Sequence, residues 1–227
     1  MSRVICFDIE TTGFEYSKGE KIIEIGAVEI LDGMLSGKTF HEYINPERPI
    51  PIESYNIHKI SNAFVADKPT FVEIAQNFLD FIGPDCLIVA HNGKGFDFPF
   101  INWQLEEIGL PKIALERQED TMLMAQRKVA DLKSYSLDAL AKYFNISLET
   151  RADGHGALID TEILAKIYLE LAQKSDEKTV AEIAREQHAA FLATPKPGAA
   201  FPRREFPPSA EELAAHAEWF EKTVKKA

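Results

Sequence analysis

The sequence predicts an α/β domain with a mixed central β-sheet flanked by α-helices, and three observations support this prediction. Strand-like segments joined by short turns occupy the first 44 residues. Segments with helical periodicity alternate with a further strand-like segment after that point. Beyond residue 174 the composition shifts, first to an Ala- and Glu-rich stretch and then to a proline-rich one. These shifts place a C-terminal extension after the α/β domain.

The three early segments have the composition of strands. Residues 3–10 are rich in β-branched and aromatic residues, and the turn signal at 11–13 follows them. Residues 21–31 form a second predicted strand, and Asp32-Gly33 favours a hairpin into a third strand at about 37–44. Because short turns join these strands, they are expected to pair antiparallel.

Helical spacing of apolar residues begins near residue 70, where Phe71, Ile74 and Phe78 repeat at intervals of three and four. The remaining predicted elements are a buried strand at 86–91 and helices at 70–82, 98–108, 121–129, 136–144 and 157–172.

The predicted domain boundaries follow the composition. Residues 1–174 form the α/β domain, and 175–192 form a helical extension. Residues 193–208 contain five prolines and form an extended linker. Residues 209–227 begin with a helix N-cap signal at Ser209 and form a short amphipathic helix to about residue 224.

Composition and charge limit the classes of function. Hydrophobic residues make up 45% of the 227 residues, and no apolar run approaches the ~20 residues of a membrane span. Two cysteines without metal-type spacing are expected to be buried free thiols in a reducing cytosol. The net charge is −11, of which residues 1–174 contribute −10. This charge opposes a polyanionic partner unless bound cations bridge to it, so it predicts weak non-specific DNA binding and tethering by a partner.

Two acidic residues lie close together in the first predicted strand. Asp8 and Glu10 are two residues apart, so strand alternation directs both carboxylates to the same face. Neighbouring carboxylates repel each other unless a cation lies between them, which favours a metal site. The alternative is that the strand ends near residue 8 and leaves both acids on a solvated tip.

A third acid follows the buried strand at 86–91. Asp97 ends the segment HNGKGFD, which leaves that strand and enters a helix. An aspartate there often only complements the helix dipole. However, active sites of open α/β sheets gather at the carboxyl ends of strands, near which Asp8 and Glu10 also lie.

Asp160 is a fourth candidate, because it lies in the apolar stripe of the predicted helix at 157–172. A charge at such a position is costly unless it is paired or bound to metal. His155 lies between two glycines five residues earlier. An exposed loop is the commoner environment of a lone histidine, and only the neighbouring acids favour a catalytic role. Oxygen ligands without a Cys/His set favour Mg²⁺ or Mn²⁺ over zinc.

Three segments resemble, in order, the exonuclease motifs of the DEDDh (DnaQ-like) superfamily: FDIETTG at 7–13, HNGKGFD at 91–97 and HGALID at 155–160. Further segments resemble the epsilon, or proofreading, subunits of bacterial DNA polymerase III, namely KIIEIGAVE at 21–29, IHKI at 57–60, DKPTF at 67–71 and SLDALAKYF at 136–144. The resemblance covers residues 3–172. It implies an RNase H-like exonuclease fold and a bacterial, cytoplasmic 3′–5′ exodeoxyribonuclease that releases nucleoside 5′-monophosphates.

The resemblance also implies roles for individual residues. Asp8, Glu10 and Asp160 would bind two divalent ions, and Asp97 would complete the acidic catalytic set. His155 would be the general base that removes a proton from the attacking water. The residues implied to contact the substrate are Asp8, Glu10, Thr11, Thr12, Gly13, Glu53, His58, Asn92 and Asp160. The alternative for Thr11 and Thr12 is that they only form a turn. The alternative for Glu53 is that it is an ordinary surface acid.

The implied partners follow from the same resemblance. The 3′ end of single-stranded or frayed DNA would be the substrate. Residues 209–226 are similar to the epsilon C-terminal stretch and would dock on the polymerase (alpha) subunit; a theta-like subunit is a further candidate partner. Epsilon subunits often carry a glutamine-led hydrophobic clamp-binding motif. Here residues 173–177 are polar and residues 187–192 match that motif poorly, so the sequence gives little support for a sliding-clamp contact.

Three alternatives share part of this pattern. A stand-alone DEDDh exonuclease acting on RNA or short oligonucleotides would use the same chemistry, but it gives no reason for the linker and terminal helix. A non-catalytic scaffold with vestigial acids is disfavoured, because all five catalytic-type residues are present. A structural cation site would predict metal-dependent melting without turnover.

Overall fold

The computed structural model describes residues 2–129, 132–149 and 156–174, together with Arg185. The chain divides into two units, Met1–Ile183 and Ala184–Ala227, and the following description concerns the first. The predicted linker at 193–208 and the segment at 209–227 lie outside the described residues, as does the predicted helical extension at 175–192 apart from Arg185.

The described residues form five strands and seven α-helices. The strands are β1 (Arg3–Thr11), β2 (Ile22–Leu31), β3 (Met34–Tyr43), β4 (Leu87–Ala90) and β5 (Gln118–Asp120). The helices are α1 (Ile52–His58), α2 (Asn62–Val65), α3 (Phe71–Ile82), α4 (Asp97–Glu107), α5 (Thr121–Lys128), α6 (Leu137–Tyr143) and α7 (Ala157–Gln173). Within this part of the chain, none of the helices is both long and apolar enough to cross a membrane.

The five strands form one mixed sheet in the order β3-β2-β1-β4-β5. The β1–β2 and β2–β3 pairs are antiparallel, whereas β1–β4 and β4–β5 are parallel. The predicted mixed α/β architecture and its antiparallel start are therefore confirmed. The parallel pairs bring the carboxyl ends of β1, β4 and β5 to the same edge of the sheet.

The β2–β3 hairpin corrects one predicted boundary. Asp32 and Gly33 both have positive φ angles, 49° and 79°, as a two-residue hairpin turn requires. Leu31 consequently pairs with Met34 directly across the turn. The strand therefore begins at Met34, and the predicted start at about residue 37 was wrong. The first six residues of β3 are exposed, so the sequence lacks the apolar alternation that would have marked them.

Alternate residues of β1 pack into two different cores. Ile5, Phe7 and Ile9 join a cluster with buried residues of α3 and α4. Val4 and Cys6 point the other way and join a cluster with β2, β4 and the α7 residues Leu164 and Ala165. The sheet therefore lies between a layer containing α3 and α4 and a layer containing α7. Both cysteines are buried and free, as predicted.

Candidate active site

Asp8 and Glu10 lie where β1 extends past its parallel neighbour. The last β1–β4 pair joins Cys6 to Val89, whereas β1 continues to Thr11. The alternative in which the strand ends near residue 8 is therefore wrong. Both acids are half-buried between buried neighbours, so alternation places them on the same face as Cys6, the side that α7 covers.

Asp160 reaches this face because α7 lies directly against the backbone of β2. A Cβ atom at Gly26 would lie 2.3 Å from the amide nitrogen of Leu158 and 2.4 Å from the carbonyl carbon of Ala157. The Thr161 hydroxyl also donates a hydrogen bond to the carbonyl of Gly26 (3.0 Å). Only glycine permits this close approach, which places the first turn of α7, and with it Asp160, beside β1.

The side chains of Asp8, Glu10 and Asp160 form a candidate divalent-metal centre. Each offers a carboxylate oxygen, and these oxygens lie within 4.8 Å of one another. Burial raises the pKa of Asp8 well above its usual value, and the nearby carboxyls of Asp97, Glu10, Asp160 and Glu24 raise it further. A bound cation would offset this repulsion, and a donor set made only of hard oxygens fits Mg²⁺ or Mn²⁺.

Asp97 adds a fourth carboxyl to the same cavity. It is the first residue of α4 and is 3% exposed. Burial raises the pKa of Asp97 to about 7, and the charge of Asp120 also raises it. The carboxyl accepts hydrogen bonds from its own amide and from the amide of Ile9, and these bonds lower the pKa. In the absence of a cation, this buried carboxyl is therefore partly protonated at neutral pH.

A cavity of about 490 Å³ opens over the four acids. Its lining consists of Asp8, Ile9, Glu10, Phe14, Ile57, His91, Asn92, Gly95, Phe96, Asp97 and Asp160. A recess of about 80 Å³ adjoins it and shares five of these residues. The recess is lined by Ile9, Glu10, Thr11, Gly13, Phe14, Ser54, Ile57, His58 and Phe96. The acids therefore share their surroundings with a mixed apolar and polar pocket.

The predicted nucleotide-contacting residues take different positions. Thr11, Gly13 and His58 line the recess, and Asn92 lines the larger cavity. Thr12 is buried; its hydroxyl donates to the Glu20 carboxylate, and its carbonyl accepts from the Ser54 hydroxyl. Glu53 is exposed on α1 and is not among the residues that line either space in the described chain. His155 lies outside the described residues.

His58 has an unused donor. The Nδ1 atom accepts the amide N–H of Ile60 (3.0 Å), so the ring proton of the neutral imidazole is on Nε2. Nε2 is buried and has no hydrogen-bond partner within the described chain. Burial lowers the pKa of His58, so the ring is neutral at physiological pH. A ligand in the recess could accept this hydrogen bond.

Sequence reasoning missed the apolar rim of the cavity. Phe14 is 76% exposed and Ile57 is 47% exposed, and the ring of Phe96 contacts that of Phe14 in a tilted arrangement with centroids 6.1 Å apart. Exposed apolar side chains at a cavity rim are typical of ligand contacts. In the sequence, Phe14 comes immediately after the turn that follows Asp8 and Glu10, and this position was the available signal of a ligand contact. The sequence alone does not show that the side chain of Phe14 is exposed.

Comparisons with known proteins agree with this geometry. The model of the RNase_T family, described as Exonuclease, matches residues 5–168. The matched span includes all four acids. The fold, the acidic centre and this match define the chain as a 3′–5′ exonuclease, a phosphodiester hydrolase.

The sequence is similar to DNA polymerase III epsilon subunits. The Rickettsia conorii subunit is 43% identical over 172 residues, covering 74% of this chain and 73% of the relative. The Salmonella typhimurium subunit is 36% identical over 235 residues, covering 100% and 95%. Exonuclease X in complex with 5′ overhanging duplex DNA is 28% identical with a TM-score of 0.57, covering 80% and 98%. The chain belongs to the DEDDh exonuclease family that includes the epsilon subunits, which confirms the resemblance and the predicted RNase H-like fold.

Proposed function

We propose that this chain proofreads DNA synthesis as the 3′–5′ exodeoxyribonuclease of a bacterial DNA polymerase III. The observation that carries the proposal is the convergence of Asp8, Glu10 and Asp160 within 4.8 Å in a chain whose relatives are named as epsilon subunits. The structural neighbour that holds duplex DNA with a 5′ overhang supports a DNA substrate. The product is a nucleoside 5′-monophosphate.

The acidic centre supplies the metal ligands of the proposed mechanism. Asp8, Glu10 and Asp160 would hold two Mg²⁺ or Mn²⁺ ions, and Asp97 adds negative charge at the same cavity. When bound, the ions supply Lewis acidity that favours deprotonation of water and stabilises charge on the leaving 3′-oxygen. The protein itself positions the ligands and excludes part of the solvent, since Asp97 and Asp160 are both buried.

His155 is the proposed general base. An ordinary imidazole pKa of ~6.5 suits the removal of a proton from the attacking water near neutral pH. The assignment rests on its sequence position, five residues before Asp160.

The recess beside the acids is the proposed binding site of the terminal nucleoside. Phe14, Ile57 and Phe96 offer apolar surface to a base or sugar, and the buried Nε2 of His58 offers a hydrogen-bond donor. A few polar groups among apolar side chains are typical of small-ligand pockets.

Digestion of a 3′-mismatched primer tests the proposed function. Wild-type protein is assayed on matched and mismatched primers with Mg²⁺, Mn²⁺ or EDTA, with and without the cognate polymerase subunit. We expect faster removal of the mismatch, stimulation by that subunit, and loss of activity with EDTA or in Asp8→Ala. Equal rates on both primers, together with preferred digestion of RNA, would instead support a stand-alone exonuclease.

The general-base role of His155 has a separate test. His155→Ala should lower the turnover number by roughly 10²–10⁴, while Mn²⁺ binding measured by calorimetry remains because the carboxylates are intact. Turnover equal to that of the wild type at saturating Mn²⁺ would exclude the role.

A further inference from the structure

The loop between β4 and α4 carries part of the candidate site. The loop consists of residues 91–96 and leads directly into Asp97, the first residue of α4. Four of its residues line the cavity. Asn92 has a positive φ of 57°, a backbone conformation that is uncommon for residues other than glycine. The position of Asp97 relative to Asp8 and Glu10 therefore depends on what holds this loop.

A buried carboxylate from a neighbouring strand holds the loop. Asp120 ends β5, is 1% exposed and pairs in register with Ala90, the last residue of β4. Its Oδ1 accepts the amide of Asn92 (3.1 Å), and its Oδ2 accepts the amide of Lys94 (3.1 Å). Hydrogen bonds from backbone amides to a charged acceptor are stronger than those between neutral groups. Both oxygens of Asp120 therefore fix the backbone that leads to Asp97.

The same carboxylate also caps the next helix. Oδ1 accepts the amide of Met122 (2.9 Å), and Asp120 is the N-cap of α5. A capping role alone would explain only this contact. The following residue adds a further bond to the loop, because the Thr121 hydroxyl lies 2.9 Å from Nδ1 of His91. Asp120 and Thr121 thus contact the loop at three residues, His91, Asn92 and Lys94.

We propose that Asp120 is a positioning residue for the nuclease reaction, which holds Asn92 and Asp97 in place through the amides of the loop. This inference rests on the proposed function, since it assigns Asp120 to the same site. Asp120 is not itself among the residues that line the cavity, and the bonds of its carboxylate to the loop go to backbone amides, including the amide of the lining residue Asn92. The charge of Asp120 also acts on the Asp97 carboxyl directly.

Two substitutions separate the positioning role from the capping role. Asp120→Ser keeps a side-chain oxygen that can cap α5 but lacks the second acceptor for the loop. Asp120→Asn keeps one acceptor and turns an NH₂ group towards the Lys94 amide. We expect each variant to lower kcat/KM on the mismatched primer by about 10- to 100-fold, as small misplacements of catalytic groups do, and to raise the Mn²⁺ concentration for half-maximal activity.

Ser136→Ala is the matched control, because the Ser136 hydroxyl caps α6 by accepting the amide of Ala139 (3.3 Å) away from the loop. It should lower the melting temperature as the loss of a helix cap does, while kcat/KM and the Mn²⁺ dependence stay unchanged. If Asp120→Ser is fully active, or if both Asp120 variants lose no more activity than Ser136→Ala, the positioning role is overturned.

Mn²⁺ binding measured by calorimetry distinguishes failure of the positioning role of Asp120 from failure of the proposed proofreading function. If wild-type protein shows no mismatch preference, the proofreading role fails. Weaker Mn²⁺ binding in both Asp120 variants but not in Ser136→Ala would still support positioning of the acidic site.

Discussion

The carboxyl of Asp97 links pH to stability at the scale of a single residue. Burial raises its pKa from the ordinary 3.8 to about 7. Between these values the folded, metal-free protein keeps a proton that the unfolded chain releases. The stability that this proton contributes is complete below about pH 4 and is lost as the pH rises through about 7.

We therefore expect the melting temperature in EDTA to fall between pH 5 and pH 8. Asp97→Asn should make this fall shallower, because the amide does not titrate. Added Mn²⁺ should stabilise the wild type most at pH 8, because fewer protons compete with the metal for the carboxylates as the pH rises. Thermal melts across the pH range measure both effects.

Asp80→Asn is the control, because Asp80 is an exposed aspartate on α3 whose carboxylate accepts a hydrogen bond from the Gln76 side chain. The slope of melting temperature against pH in this variant should match the wild type. An Asp97→Asn slope identical to the wild-type slope would contradict the assigned titration.

Residue patterns in the sequence identified the acids of the site but not their supports. Asp8 and Glu10 were predictable from period-two spacing, and Asp160 from a charge within an apolar stripe. Asp120 was missed because its role depends on amides almost thirty residues away. The only local signal was an aspartate preceding the predicted helix at 121–129, which indicates a cap and nothing more.

At the scale of the element, the contact between α7 and β2 positions Asp160. Because a Cβ at Gly26 would overlap the backbone of Ala157 and Leu158, Gly26→Ala must displace the first turn of α7. We expect a loss of about 1–3 kcal/mol in stability, typical of overpacking, and about a 10- to 100-fold loss in kcat/KM from the misplaced Asp160. Denaturant unfolding and primer digestion measure the two effects.

Ile167→Val is the control for this prediction, since Ile167 is fully buried two turns further along α7. It should cost about 0.5–1.5 kcal/mol and leave kcat/KM unchanged. Wild-type activity in Gly26→Ala would show that Asp160 does not depend on this contact.

Elements marked by an apolar pattern were predictable, including the four-residue strand β4, and elements without such a pattern were not. The helix α3 matches the predicted range to within one residue, because its five buried residues repeat at helical spacing. The strand β5 has only three residues, Gln-Glu-Asp, and exists because it pairs with β4. The helix α1 was missed because Ile52 and Ile57 are exposed, so no apolar stripe marks it. Pairing and packing partners, rather than local sequence, determine these elements.

At the scale of the whole molecule, charge and chain organisation point to recruitment by a partner. Residues 1–174 carry 17 basic and 27 acidic side chains. A net negative domain gains little from counterion release when it binds DNA. Delivery of the 3′ end by a tethered polymerase subunit would compensate, because linking raises the effective concentration of a weakly bound substrate. The segment at 209–227 is the proposed tether, because its sequence resembles the docking stretch of epsilon subunits.

Deletion of residues 209–227 tests whether this segment is the contact that tethers the chain to the polymerase subunit. The shortened protein should digest single-stranded DNA alone at a rate within about twofold of the wild type, since the acidic centre and cavity lie within residues 8–160. Stimulation by the polymerase subunit should disappear, because tethering contributes about 10²–10⁴ in effective affinity. A variant with the same 19 residues in scrambled order keeps length and charge and should behave like the deletion. Full stimulation of either variant would place the docking contact elsewhere in the chain.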